Sequence, residues 1–424
     1  MKISKLKIAQ YKHLENLDFD FTYQSGKRKG EPLDKICFIG QSATGKTNLL
    51  ELLFSQIELA LTLKSADDGN LSANYIEEEL KGELIINFKN DIYKIKNGET
   101  TYKKNNYKFK TIDNITEYFV SNIMKSNLLF FKANIISDEN IEIFTENPIN
   151  LIEKYPNPDK DRKFKNQLVH IFDNNVPKEI WLSLIEDILE YRKKFTQKMS
   201  ELIHKGLLND PKKLSTEFSK WQKENPNKLM DFADKFNPLL EKLNLEVDLV
   251  NTEYSIPIIN KRNEEIIPIQ HTSTGTKGLL LSFLPLFKLN TKDAIILMDE
   301  PERSLYPDMQ MSLMENYQNL APDAQFIVAT HSPFIAASFE PEERFILYFD
   351  EDGKVAVKRG SSPIGDDPND MLKNDFGVNY YNKHGKNAYK KYLNLKQAIV
   401  SEKDAKKKKE LLFEFMKLGD TYNF

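Results

Sequence analysis

Residues 40–47 of the chain are Gly40-Gln41-Ser42-Ala43-Thr44-Gly45-Lys46-Thr47. This stretch matches G-x-x-x-x-G-K-[ST], in which two glycines let the backbone curl so that its N–H groups point at phosphate oxygens. A short apolar run over residues 35–40 precedes it, and leucines at helical spacing follow over residues 48–63. A strand, a glycine loop and a helix N-terminus in this order are the setting that a phosphate-binding loop requires.

The side chains of this loop have the chemistry that a nucleotide and its metal ion need. Lys46 is expected to reach the β- and γ-phosphates, and the Thr47 hydroxyl is expected to ligate Mg²⁺. A glycine turn that precedes Lys-Thr by accident is the structural alternative, and the flanking strand and helix argue against it. The predicted nucleotide-binding residues are Gly40, Gln41, Ser42, Ala43, Thr44, Gly45, Lys46, Thr47 and Asn48.

A second candidate segment joins a buried strand to two carboxylates. The apolar run from Ala294 to Met298 ends in Asp299 and Glu300. Charges at the end of a buried strand are costly unless they serve a cation or a reacting group. Asp299 is suited to hold Mg²⁺, and Glu300 is suited to polarise an attacking water as general base. Many strands end in acidic residues, so this motif gains its weight from the phosphate loop in the same chain.

Two more segments place polar groups where ligands bind. The strand-like run from Phe326 to Ser332 delivers His331 at its carboxyl end, where His331 can contact a γ-phosphate or the attacking water. A structural histidine is the plainer interpretation of such a residue taken alone. Ser273 and Gly275 open an apolar helix that begins near Gly278, and a serine and a glycine at a helix N-terminus form a second anion site.

The ordered set of motifs resembles the ABC-type P-loop ATPases. It is most similar to their SMC, RecF and OLD-like members and to the short AAA family ATPases of bacterial antiphage defence operons. Ser273 and Gly275 align with the LSGGQ signature, Asp299 and Glu300 with Walker B, and His331 with the switch histidine. Residues 300–307, EPERSLYP, are similar to the run DEPE-x-SLHP of these proteins, which places Ser304 in the D-loop.

The resemblance implies a fold, cofactors and an assembly. The implied fold is α/β: an ABC-ATPase-like P-loop core split in sequence, with a β-layer and a helical insertion, plus a small helical C-terminal extension. The implied cofactors are ATP and Mg²⁺, and the implied reaction is ATP hydrolysis, slow or stimulated by a ligand. The implied assembly is a homodimer or higher homo-oligomer with ATP at the interface. In it, Ser273 and Gly275 of one protomer contact the γ-phosphate held by the other, and Ser304 crosses the interface.

Several positions depart from the family pattern. Thr272 replaces the leucine of the signature, Thr274 replaces its first glycine, and residues 276–277 are Thr-Lys where glutamine is usual. Tyr306 replaces the histidine of SLHP. The strand-like residues 127–132 are roughly placed for a Q-loop but contain no glutamine.

The chain divides into four predicted segments. The clearest helices of the mainly helical insertion are expected over Trp181–Phe195 and Phe218–Leu243. The segments are 1–110, the N-terminal half of the core with its β-layer; 111–250, the helical insertion; 251–350, the C-terminal half of the core; and 351–424, a charged helical extension.

Composition narrows the class of protein. The formal net charge of -3 means that nucleic-acid binding requires a local basic patch. Cys37 is the single cysteine, so an internal disulfide is impossible and a reducing compartment is indicated. We find no apolar run of membrane-spanning or signal-peptide length, so we expect a cytoplasmic protein without membrane contact.

Two functions remain open at the level of sequence. The first is an ATP-driven switch of an antiphage defence system that acts with a separate effector, such as a nuclease or toxin. No Toprim-like acidic cluster follows His331, and residues 350–352 are better interpreted as a hairpin turn. The second is a DNA-repair or chromosome-handling ATPase of the RecF or SMC type that binds DNA. Its candidate DNA surface is a basic and aromatic patch formed by Tyr102, Lys103, Lys104, Tyr107, Lys108, Phe109 and Lys110. The favoured interpretation of these residues, however, is an exposed Lys-rich hairpin without a role in DNA binding.

Two other functions are disfavoured by the motifs. The degenerate signature, the helical insertion and the EPERSLYP run argue against a membrane transporter's ATPase subunit. Glu300 argues against a sensor that binds ATP without hydrolysing it, because a carboxylate at that place serves to activate water.

Overall fold

The computed structural model of the protein describes residues 1–62, 80–88, 91–97, 99–102, 105–108, 127–155, 164, 167–378 and 383–422. Within these residues the chain is a mixed α/β structure with three sheets. Its strands are β1 (Lys2–Tyr11), β2 (Leu14–Asp20), β3 (Lys35–Gly40), β4 (Lys81–Phe88), β5 (Asp91–Lys96), β6 (Glu99–Tyr102), β7 (Asn105–Lys108), β8 (Leu128–Phe131), β9 (Val169–Phe172), β10 (Leu245–Val247), β11 (Ile258–Asn260), β12 (Glu265–Ile267), β13 (Ile295–Asp299), β14 (Gln325–Ala329), β15 (Arg344–Phe349) and β16 (Val355–Arg359).

The α-helices of the described residues range from one turn to more than seven turns. They are α1 (Lys46–Thr62), α2 (Asp138–Glu142), α3 (Pro148–Lys154), α4 (Lys178–His204), α5 (Pro211–Glu224), α6 (Lys228–Leu240), α7 (Thr274–Lys288), α8 (Pro307–Leu320), α9 (Pro333–Ala336), α10 (Pro368–Asn374), α11 (Lys383–Ser401) and α12 (Ala405–Tyr422). Short 3-10 turns cover Leu207–Asn209, Glu241–Leu243, Ile269–His271 and Pro341–Glu343.

The central sheet has seven strands in the order β16-β15-β3-β14-β13-β8-β9. Neighbouring strands run parallel except β15 and β16, which form an antiparallel hairpin. Because both faces are covered, β3, β13 and β14 are nearly continuous apolar runs, as buried parallel strands require. Parallel pairing brings the carboxyl ends of β3, β13 and β14 to one edge, and that edge carries the candidate site.

Two hydrophobic clusters lie on opposite faces of the central sheet. In β3, Ile36 and Phe38 join the cluster that contains α1 and the N-terminal β-layer, whereas Cys37 and Ile39 join the cluster that contains α4, α6, α7 and α8. Helix α1 packs across β3, β8, β13 and β14. Cys37 is fully buried, and burial raises the pKa of its thiol, so this cysteine serves as a small core residue.

The N-terminal β-layer is an antiparallel sheet in the order β2-β1-β4-β5-β6-β7. Ile3, Leu6 and Ile8 of β1 face the core, and β1 and β2 form an antiparallel hairpin. The backbones of β6 and β7 pair antiparallel, as the interpretation of this segment as a hairpin predicts. The side chains of the predicted basic and aromatic patch lie outside the described residues.

The predicted helix over Phe218–Leu243 is wrong as a single element. Helix α5 ends at Glu224 and α6 begins at Lys228. Pro226 cannot donate a backbone hydrogen bond, and it disfavours helical geometry at Asn225. The Asn227 side chain then caps α6 by accepting hydrogen bonds from the N–H groups of Leu229 and Met230.

The C-terminal extension is helical, as predicted. Helix α10 is held against the core by Asp375, whose carboxylate lies 3.0 Å from the Arg344 guanidinium, with both side chains fully buried. Helices α11 and α12 pack on each other, with the rings of Tyr392 and Phe415 stacked at 4.3 Å. Asp350 forms the predicted turn between β15 and β16, because its carboxylate accepts from the N–H of Lys354 at 2.8 Å.

Candidate nucleotide site

The glycine loop sits between β3 and α1 in a conformation that its glycines permit. Gly40 has φ +139° and Gly45 has φ +90°. A Cβ atom at Gly40 would lie 2.0 Å from the carbonyl oxygen of Leu347 in β15, so only glycine fits there. A Cβ atom at Gly45 would lie 2.9 Å from Nε2 of His13. The loop is closed by the Thr44 hydroxyl, which donates to the Gln41 carbonyl oxygen at 2.8 Å.

Lys46 is folded back onto this loop. Its ammonium group donates to the carbonyl oxygens of Gly40 at 3.1 Å and Gln41 at 3.0 Å. Burial lowers the pKa of Lys46 to about 8, and the nearby charges of Asp299 and Glu300 oppose that shift. A cation held in this way by two carbonyl dipoles is available for stronger partners, because phosphate oxygens carry full negative charge.

Thr47 and Asp299 meet across the site. The Thr47 hydroxyl donates to both carboxylate oxygens of Asp299, at 3.0 and 3.2 Å. Burial raises the pKa of Asp299 to about 6, and the charges of Glu300 and Glu51 add to the rise. One hydroxyl and one carboxylate are oxygen donors of the kind that Mg²⁺ takes from a protein when phosphates and water complete its shell. The donor set therefore fits the predicted metal.

Glu300 and His331 face each other from neighbouring strands. Parallel pairing of β13 with β14 places Asp299 opposite Ala329, and the next residues leave the sheet on the same side. His331 Nε2 lies 4.0 Å from Glu300 Oε1. Burial and the positive charge of Lys46 lower the pKa of His331, so its ring is neutral at pH 7 and can donate one hydrogen bond. Glu300 has φ +48°, an unusual backbone conformation for a residue with a side chain.

These side chains enclose one cavity of about 410 Å³. Eight predicted residues line it together with Ala329 and His13; the eight are Ala43, Gly45, Lys46, Thr47, Asn48, Asp299, Glu300 and His331. The predicted residues Gly40, Gln41, Ser42 and Thr44 form the loop without lining the cavity. His13 was not among the predicted residues, because a histidine in the turn between β1 and β2 carries no motif. Its place becomes visible only when that hairpin packs beside Gly45.

The predicted signature residues lie at the start of α7, outside this cavity. Ser273 is exposed and is the N-cap of the helix, where its hydroxyl oxygen accepts from the Thr276 N–H at 3.2 Å. Gly275 is buried, and a Cβ atom there would lie 2.5 Å from the carbonyl oxygen of Ser304. The signature and the D-loop of one chain are therefore packed together. Contact of Ser273 and Gly275 with a partner's phosphate stays a prediction.

The segment predicted to be roughly placed for a Q-loop contains strand β8. It pairs with β13 in the central sheet, which confirms the strand over residues 128–131. Arg303, next to Ser304, donates to the Ala133 carbonyl oxygen at 2.9 Å just beyond this strand. The D-loop is thus attached to β8 as well as to α7.

Comparison with known proteins agrees with this arrangement. Residues 1–336 match a family model described as AAA ATPase domain. The chain belongs to this family. The AAA ATPase match spans the glycine loop, the Asp299-Glu300 pair and His331, so all the groups that meet in the cavity lie inside it.

Two curated relatives resemble part of this AAA ATPase domain protein. The retron Vc95 probable ATPase of Vibrio cholerae is 26% identical over 129 residues, which is 30% of this chain and 25% of the relative. The uncharacterised protein MJECL43 of Methanocaldococcus jannaschii is 23% identical over 145 residues, 31% of this chain and 38% of the relative. The matched regions thus span well under half of either relative.

Solved structures of SMC head domains also resemble the chain. The head domain of Pyrococcus furiosus Smc, bound to the C-terminal domain of ScpA, has 14% sequence identity and a TM-score of 0.39, over 85% of this chain and 96% of that one. The SMC head domain of Thermotoga maritima has 12% identity and a TM-score of 0.40, over 85% of this chain and 100% of that one.

In the described part of the chain, no helix has both the length and the apolar character needed to span a bilayer.

Proposed function

We propose that the protein is an ATP-hydrolysing switch that closes as a homodimer around ATP and acts with a separate effector protein. The observation that carries the proposal is the meeting of Lys46, Thr47, Asp299, Glu300 and His331 around one cavity. The first three can bind a nucleotide and its metal ion, and the last two have the chemistry to promote hydrolysis. Membership of the AAA ATPase family supports the same reaction.

The residues divide the reaction between binding and chemistry. Lys46 would leave its carbonyl partners and pair with the β- and γ-phosphates, and Thr47 and Asp299 are the residues that would hold Mg²⁺. The metal ion, when bound, neutralises charge on the phosphate oxygens. Glu300 orients the attacking water and takes its proton as the bond to the γ-phosphorus forms. The neutral His331 ring donates a hydrogen bond to the γ-phosphate as the bond to the leaving ADP oxygen breaks.

The dimer is proposed from the groups that lie outside the cavity. Ser273 and Ser304 are exposed and adjacent, because Gly275 packs on the Ser304 backbone. Tyr306, two residues further on, is 73% exposed. A second copy that covers these residues brings the N-terminus of its own α7, a helix of 15 residues, to the phosphates of the first copy.

The effector and the biological setting are proposed from resemblance. The motif set is similar to ATPases of bacterial antiphage defence operons, and one relative is a retron ATPase. We therefore propose a role in antiphage defence in which ATP binding or hydrolysis gates a nuclease or toxin. DNA handling of the RecF or SMC type is the alternative function.

Steady-state ATP hydrolysis by the purified chain, with and without double-stranded DNA, tests the proposal. We expect slow turnover that DNA does not change, and we expect Lys46→Ala to abolish nucleotide binding. Stimulation by DNA would favour the DNA-handling alternative. ATP affinity retained by Lys46→Ala, or a wild-type chain that neither binds nor hydrolyses ATP, would overturn the assignment of the site.

A further inference from the structure

A closed circuit of buried hydrogen bonds surrounds the backbone of His331. Oε1 of Glu302 accepts from the Thr330 hydroxyl at 2.5 Å and from the His331 N–H at 3.2 Å. The Thr330 hydroxyl oxygen in turn accepts from the Ser332 N–H at 2.8 Å. One carboxylate oxygen therefore fixes three consecutive residues, because it holds Thr330 and His331 directly and Ser332 through Thr330.

The circuit closes through helix α8. The Ser332 hydroxyl donates to Gln310 Oε1 at 2.5 Å, and Gln310 Nε2 donates to the Leu305 carbonyl oxygen at 2.8 Å. The Leu305 N–H donates to the Glu302 carbonyl oxygen at 2.9 Å, so the path returns to its first residue. The four side chains of the circuit are each at most 9% exposed. Buried polar groups bonded in this way hold one arrangement firmly.

The histidine ring itself is not locked by packing. The His331 side chain is 44% exposed, so its place in the cavity is set by its backbone. The backbone N–H of His331 donates a hydrogen bond to the Glu302 carboxylate. Glu302 lies two residues before the exposed Ser304. Ser304 and Glu302 lie in the same short turn, so this turn is the route by which a contact at Ser304 can reach His331.

We propose that Glu302 is a positioning residue that holds His331 beside the γ-phosphate and makes this position depend on the segment that carries Ser304. The expected effect of Glu302 on kcat rests on the proposed ATPase function, whereas the placement of His331 can be measured without hydrolysis. The competing possibility is that Glu302 serves stability alone, in which case its loss weakens the fold but leaves the His331 ring where it is.

Two substitutions of Glu302 separate these roles. Glu302→Gln keeps an oxygen that can accept both hydrogen bonds, and Glu302→Ala removes it. We expect Glu302→Ala to lower kcat by roughly 10- to 100-fold, because a displacement near 1 Å costs that much. KM for ATP should stay within about 3-fold, because the residues that hold the nucleotide are unchanged. Glu302→Gln should keep kcat within about 3-fold of the wild type.

The pKa of His331 gives a second measurement, by NMR of ¹³C-labelled histidine in the nucleotide-free protein. His331→Ala assigns the resonance. Burial lowers this pKa in the wild type, so a released ring should titrate closer to the ordinary value. Both Glu302 variants lose the same carboxyl group, and the difference between them therefore reports position. An unchanged kcat and equal His331 pKa values in the two variants would overturn the proposal. A wild type without ATPase activity would overturn the proposed function but leave this titration valid.

A third pair of variants covers the case in which Glu302→Ala does not fold. Ser332→Ala breaks the same circuit by removing one hydroxyl. Ser255→Ala is its matched control, because Ser255 is also fully buried and its hydroxyl donates to a carbonyl oxygen, that of Glu146, at 2.9 Å. Ser332→Ala should lose more stability than Ser255→Ala, because the Ser332 hydroxyl oxygen also caps α9 by accepting from the N–H groups of Phe334 and Ile335. Ser332→Ala alone should lower kcat. Equal kcat in the two variants would mean that the circuit does not position His331.

Discussion

Substitution of Gly275 by alanine tests the contact between α7 and the D-loop. The added Cβ atom would lie 2.5 Å from the Ser304 carbonyl oxygen and 3.0 Å from Leu305 Cδ2. A backbone oxygen cannot turn aside as a side chain can, so the start of α7 must move. Gly278→Ala in the same helix is the matched control, because its Cβ atom would meet the terminal methyl of Ile136 at 3.0 Å, and that methyl can rotate away.

The expected difference in stability follows from two opposing contributions. Overpacking costs about 1–3 kcal/mol, and alanine is favoured over glycine inside a helix by up to about 1 kcal/mol. Gly275→Ala should therefore lower the free energy of unfolding by roughly 0–3 kcal/mol, and Gly278→Ala should raise it by roughly 0–1 kcal/mol. Urea unfolding of both variants measures the difference, which should be about 1–3 kcal/mol, because the gain from alanine is common to both variants and only the overpacking cost differs.

The same pair of variants has a kinetic consequence. Moving the start of α7 displaces both Ser273 and Ser304, so Gly275→Ala should lose ATP turnover at unchanged ATP affinity, and Gly278→Ala should keep it. The reasoning is refuted if Gly275→Ala is as stable as Gly278→Ala, since the backbone contact would then be absent. A stable Gly275→Ala variant with lost turnover would instead assign Gly275 to phosphate contact alone.

Three further predictions concern charge and assembly. Asp299→Asn should raise the free energy of unfolding of the nucleotide-free protein. Burial raises the pKa of Asp299 from 3.8 to about 6, so the charged carboxylate destabilises the folded wild type. The gain in free energy, measured by urea unfolding, should be full above pH 6 and should vanish as pH falls toward 3.8. Glu300→Gln should accumulate an ATP-bound dimer in light scattering, and an equal dimer fraction without ATP would contradict the shared interface. Asp375→Ala should lower the free energy of unfolding by about 3–5 kcal/mol, because it leaves the buried Arg344 charge unpaired, whereas the exposed control Asp420→Ala should change it by less than about 0.5 kcal/mol.

The sheet edge that carries the candidate site could be predicted from sequence because its information is local. A glycine loop after a strand, a carboxylate pair after a strand and a histidine after a strand each show in a few consecutive residues. Parallel pairing then brings strand ends together without any further knowledge of packing, and Lys46, Asp299 and His331 do meet at one edge. The sequence signal for the helix break at Pro226 was also local. However, apolar residues on both sides of Pro226 have helical spacing, and this spacing predicted one longer helix.

The residues that sequence could not supply depend on contacts between distant parts of the chain. His13 reaches the cavity only because the first hairpin packs against Gly45. Glu302 is one acidic residue among several in its segment, and its burial results from the meeting of β14 with the turn after β13. The packing role of Gly275 was likewise hidden, since its alignment with the signature suggested contact with phosphate.

The turn after β13 explains how Glu300, Ser304 and His331 can be structurally coupled. Glu300 and Ser304 both have left-handed backbone, with φ of +48° and +64°, and such residues cost about 1–2 kcal/mol each unless their surroundings hold them. Glu302 lies between them, and its carboxylate is anchored to Thr330 and His331. One buried carboxylate therefore anchors the backbone of the predicted switch histidine to the turn that also carries Glu300 and Ser304. If an assembly covers Ser304, the contact falls on a left-handed residue two positions from Glu302, so we expect ATP hydrolysis to depend on assembly.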